Sequence, residues 1–117
     1  MAAPNIVNVA TITGKTAVQV VTTSATAIVT NSAASGKVFK VNALYVSNID
    51  GTNAADLNVD LYRSSTAYRI AYTVSVPADS SLDVLSKSIY LEEGDALRLT
   101  ASANTRLEAV CSYEEIS

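Results

Sequence analysis

The sequence predicts an all-β fold, an antiparallel two-sheet β-sandwich of the jelly-roll kind, on three observations. Residue choice is the first: the 117-residue chain is rich in Ala, Val, Thr and Ser, has 6 Tyr, and lacks Trp and His. β-branched residues and Tyr suit pleated, half-buried surfaces. Second, no window carries the i, i+3, i+4 apolar stripe of an amphipathic helix. Third, short runs of period-two alternation recur at about the 8–12-residue spacing of sandwiches and barrels. The length fits one domain, 1–117, able to bury a core without metal or disulfide.

From Lys37 onward the elements are sharp. KVFKVNALYVSN alternates Phe39, Val41, Ala43 and Tyr45 on one face against Val38, Lys40, Asn42, Leu44 and Val46 on the other. That is one long strand, with both faces partly covered near its end. Asp50-Gly51 is a turn dipeptide, and Asn53 extends the loop. LNVDLYR places Leu57, Val59 and Leu61 inward and Asn58, Asp60 and Tyr62 outward. After the polar turn Arg63 to Thr66, AYRIAYTVSVP places Tyr68, Ile70, Tyr72, Val74 and Val76 on one face, with Arg69, Thr73 and Ser75 opposite. The two runs read as a hairpin. Pro77 ends it. Short strands follow at Leu82 to Leu85 and from Ile89, then Ala96 to Ala101 with Leu97 and Leu99 inward. Leu107, Ala109, Cys111 and Tyr113 oppose Glu108, Ser112 and Glu114 in the last strand.

The first 36 residues carry one charge, Lys15, and few large side chains. Alternation around Ile6, Asn8, Ala10 and Ile12 suggests a strand, Gly14-Lys15 a turn, and Ala17 to Thr23 and Ala25 to Asn31 two more strands. Residues 1–36 are either the first strands of the sandwich or, in part, an extended arm that lies along a neighbour's sheet edge.

Chemistry is sparse. Net charge is −3, with no basic patch for nucleic acid. The start of the chain lacks the pattern of a signal peptide, and no run approaches the ~20 apolar residues of a membrane helix. One cysteine, Cys111, excludes an internal disulfide; it reads as a small buried apolar side chain. The densest acidic cluster is Glu92, Glu93 and Asp95 around Gly94. Gly94 suits a tight turn, and Asp95 can accept nearby backbone amides. A metal there would have to be a hard cation, since no histidine exists. Ser and Thr are plentiful, but no histidine is present to activate them and no G-x-S-x-G occurs. We expect no catalytic, cofactor or metal site. The six tyrosines read mostly as sheet packing, and Tyr62 and Tyr68 as the test of a sugar-binding alternative.

Residues 37–117, above all VSNIDGTNAAD, DLYR, VPADSSLDVL and YLEEGDALRLTASAN, resemble small virion structural proteins of tailed bacteriophages, especially cyanophages. The resemblance implies a non-enzymatic particle component, most concretely a capsid cement or decoration protein on the capsid exterior of the virion, made in the host cytoplasm. Its implied partner is the major capsid protein, and a dimer or trimer suits capsid symmetry axes. A tail, neck or baseplate component is the alternative, with sugar attachment behind it. The loops expected to make contact hold Asp50, Gly51, Asn53, Arg63, Tyr68, Glu92, Glu93 and Asp95.

Overall fold

The computed structural model describes residues 11–117. It contains nine strands among them: β1 Ile12–Val21, β2 Thr26–Thr30, β3 Val38–Asn48, β4 Ala55–Arg63, β5 Thr66–Val76, β6 Ser81–Asp83, β7 Ile89–Leu91, β8 Ala96–Ala101 and β9 Leu107–Ile116. All pairings are antiparallel. One sheet runs β1-β9-β3, with β6 and β7 both on the far edge of β3; the other runs β2-β8-β4-β5. β6 faces Tyr45 to Ser47 and β7 faces Phe39 to Val41, so the two are halves of one interrupted strand. With that pair counted once, the order is two interlocked Greek keys, the jelly roll the alternation predicts.

The core lies between the sheets. Val41, Leu44, Val46 and Leu91 from one sheet meet Leu57, Val59, Leu97 and Leu99 from the other, all removed from solvent. Cys111 is buried among them, as expected, and burial pushes its thiol up to about 11.

Three sequence expectations need correction. The strand and turn assigned around Ile6 to Lys15 fall partly outside the described residues. Within them, Gly14 and Lys15 lie inside β1, paired with Glu114 and Tyr113. Gly-Lys lacks the Asn or Asp that favours a two-residue hairpin, and an unbroken ladder to β9 prevails.

The faces of β3 also change partway along. Tyr113 pairs with Val41 but Ser112 pairs with Ala43, which leaves Asn42 as a bulge. Phe39 and Val41 point inward before it; Leu44, Val46 and Asn48 do so after it, and Tyr45 turns out. The seemingly two-sided apolar strand is a one-sided strand with one extra residue.

β5 is interrupted twice. Asp60 pairs with Arg69, Val59 with Ala71 and Leu57 with Val74. Inward positions are therefore Ala71, Val74 and Val76, while Tyr68, Ile70 and Tyr72 are exposed.

Candidate functional site

The connecting loops gather at two ends of the sandwich, and the expected contact residues divide between them. Asp50, Gly51 and Asn53 occupy one end; Arg63, Tyr68, Glu92, Glu93 and Asp95 occupy the other. They do not form one patch.

At the first end the turn is built by a side chain. Asp50 Oδ1 accepts the backbone N–H groups of Thr52 (2.8 Å) and Asn53 (3.0 Å), and these bonds hold its carboxyl below the usual carboxylate range. Arg106 Nε lies 3.4 Å from Asp50 Oδ2. Beneath the loop, buried Asn48 donates to the carbonyls of Asn53 (3.0 Å) and Val76 (2.9 Å), and its Oδ1 accepts the Asp50 N–H (2.9 Å). Asn48 thus ties β3 of one sheet to the end of β5 in the other.

The second end holds the acidic cluster. Asp95 N–H donates to the Glu92 carbonyl (3.0 Å) and Gly94 has φ +88°, so Glu92 to Asp95 is a type II turn with glycine where φ must be positive. Asp95 is not a free surface acid: its side chain is 2% exposed. Arg63 grips it twice, Nε to Oδ1 at 2.8 Å and Nη2 to Oδ2 at 2.6 Å, and Oδ2 also accepts the Glu92 N–H at 2.8 Å. The Arg63 guanidinium, helped by that backbone bond, holds the Asp95 carboxyl well below its ordinary value against the opposing effect of burial. Glu92 Oε2 takes a third contact with Arg63, at 2.8 Å, from a side chain 68% exposed. Glu93 Oε2 accepts the Gly36 N–H at 3.0 Å. Buried Asn31 donates to the carbonyls of Lys37 (2.9 Å) and Leu91 (3.1 Å). Arg63 and Asp95 therefore brace this end; Glu92 and Tyr68 remain presented to solvent. Among the described residues no three His, Cys, Asp or Glu side chains converge to hold a metal.

Two features of the sheet faces escaped the sequence reading. On the outer face of β4 and its neighbours, Asp60 is 1% exposed because Arg69 (3.2 Å) and Arg98 (2.9 Å) close over its two oxygens. Tyr62 stacks on Arg98 at 3.8 Å and Tyr72 on Arg69 at 4.9 Å. Tyr68 registers with inward-facing Leu61 rather than with Asp60, so Tyr62 and Tyr68 do not share a stacking face. On the outer face of the other sheet, Val18, Val110 and Tyr45 lie side by side in register, with Val20 beside them, and all are exposed. They border an open depression of about 410 Å³ lined by Val18, Gln19, Val20, Glu108, Ala109 and Val110. Of the six tyrosines, Tyr45, Tyr68, Tyr72 and Tyr90 are exposed and only Tyr113 stacks inside, 5.5 Å from Phe39. Most tyrosines thus do not serve sheet packing. Periodicity signals which face a residue takes, not whether that face is covered.

No protein-family model matches the chain, and no curated protein matches it. Among solved structures it is similar to Bacillus endospore appendages, described as a family of disulfide-linked pili, at 16% identity over 92% of this chain and 88% of that one, with a TM-score of 0.52. It also aligns with the nucleoplasmin-like N-terminal domain of Drosophila FKBP39, at 14% identity over 87% of this chain and 85% of that one, with a TM-score of 0.45. The first likeness supports the β-sandwich and speaks to fold alone.

Proposed function

We propose that the chain is a non-enzymatic structural subunit of a phage particle, a cement protein that docks on the outer capsid shell and stiffens it. The observation that carries this reading is where the chemistry sits. Ionic groups close to buried carboxylates are used as internal braces at Asp95 and Asp60, while large apolar and aromatic side chains stand exposed on the outside of a two-layered slab. Exposed apolar patches on an otherwise polar surface mark contact with other macromolecules. The sequence resemblance to virion proteins names the kind of particle.

The end bearing Glu92 and Tyr68 is the shell-facing surface in this proposal. The Arg63–Asp95 pair keeps it from moving, so little conformational freedom is lost on docking. Arg63 itself is unsuitable as a docking probe, because replacing it exposes the domain to an unpaired buried acid. The test adds purified protein to shells lacking it and measures the temperature at which they rupture. Rupture should move up, and Glu92→Lys should reduce occupancy while leaving the domain folded. Shells that break at the same temperature with and without bound protein overturn the cement role. A copy number of a few per particle, rather than hundreds, transfers the protein to the tail or neck.

A further inference from the structure

The edges of the two sheets are not alike. β2 has five residues and a bulge at Ile28. β5 is bulged, with Thr73 at φ +53°. β6 and β7 have three residues each. Such edges are poor templates for another strand. β1 is the exception: ten residues in unbroken register with β9, and among the described residues no strand lies on its other side. Its one charge, Lys15, is turned to Glu115 at 3.0 Å, so it does not guard the edge.

The hydrogen-bond phase tells which groups are offered. Thr11 and Ser117 exchange both backbone bonds. Antiparallel pairs alternate between bonded and non-bonded, so Thr13, Lys15, Ala17, Gln19 and Val21 bond to β9. The N–H and C=O groups of Ile12, Gly14, Thr16, Val18 and Val20 point away from it. The side chains of Ile12, Thr16, Val18 and Val20 lie on the outer face, where Val18 is 75% exposed.

We propose that β1 pairs antiparallel with β1 of a second copy, about a two-fold axis at Val18, so that the sheet runs on across a dimer. Three features favour a second copy as the occupant. Self-pairing brings no like charges together: around Val18, Lys15 meets Val21 of the other copy and not its own equivalent. The row Tyr45, Val110, Val18 is continued by the same row reversed, joining the two open apolar depressions into one covered strip. Thr16, Val18 and Val20 then bond to Val20, Val18 and Thr16 of the second copy and satisfy backbone groups that otherwise face water. An isologous contact of this kind closes on itself and does not grow into a fibre.

Sedimentation velocity of the isolated protein over a dilution series tests this without any shell, so its outcome is independent of the cement reading. The wild type should show a concentration-dependent dimer. Val18→Lys, which sets two ammonium groups face to face, and Thr16→Pro, which deletes an outward N–H but no bond to β9, should each lose the dimer while keeping a native circular-dichroism spectrum. Ile70→Lys on the β5 edge should leave it unchanged. Amide exchange of the wild type should slow at Thr16, Val18 and Val20 as concentration rises. A monomer at every concentration, a dimer that survives both β1 substitutions, or a dimer in which those three amides exchange as fast as in the monomer overturns the proposal. Should one variant fail to fold, the other variant and the amide exchange still decide.

Discussion

Asp95 and Arg63 link the stability of the fold to pH at its acid end. A carboxyl held below its ordinary value in the folded state contributes stability that is complete above the unfolded-state pKa of about 3.9 and is lost as pH falls through the lower folded value. Arg63→Ala should remove that depression, cost about 2 kcal/mol because Arg63 is itself partly exposed, and raise the midpoint of acid unfolding; chemical denaturation at several pH values measures both. Asn48→Ala should cost about 1–3 kcal/mol, since it strands two carbonyls and the Asp50 amide at a buried junction. The single thiol should be silent to a thiol reagent near neutral pH until denaturant is added, because Cys111 is buried and its thiolate disfavoured. The sequence shows a turn at Glu92 to Asp95 through Gly94, but not the grip of Arg63, which comes from a different strand 32 positions away. Nor does it show Asn31 or Asn48 as buried, because a polar residue in a strand reads as solvent-facing until its partners are known.

At the level of strands, regular alternation was legible and its interruptions were not. Leu57, Val59, Leu97 and Leu99 sit where period two puts them. Asn42 and the Ile70 to Thr73 segment do not announce themselves, since a bulge depends on the partner strand as much as on its own residues. The β4–β5 hairpin closes through Ser64 and Ser65, both with positive φ, between paired Arg63 and Thr66. That is a two-residue type I′ turn made from residues poorly suited to it. Ser64→Asn with Ser65→Gly should stabilise the domain by about 1 kcal/mol and raise Tm by several degrees in a thermal melt. Thr73 is a β-branched residue in the same left-handed region, held by its N–H bond to Asn58 Oδ1 at 2.6 Å. Nothing in the one-dimensional pattern marks it.

For the molecule as a whole, the jelly roll followed from strand number and spacing, whereas the division of the contact loops between two ends needed the topology. That topology has a kinetic signature. Every sheet contact except the β4–β5 hairpin joins strands well separated along the chain, and such folds form in about milliseconds to seconds rather than microseconds. Stopped-flow refolding should fall in that range.

The place of β9 carries this further. It is the last of the nine strands, yet it stands between β1 and β3 in the middle of its sheet. On the ribosome, β1 and β3 must therefore wait, half-built and sticky, until β9 has been made. Nascent chains should stay on a holding chaperone until Leu107 to Ile116 have emerged, and leave it then.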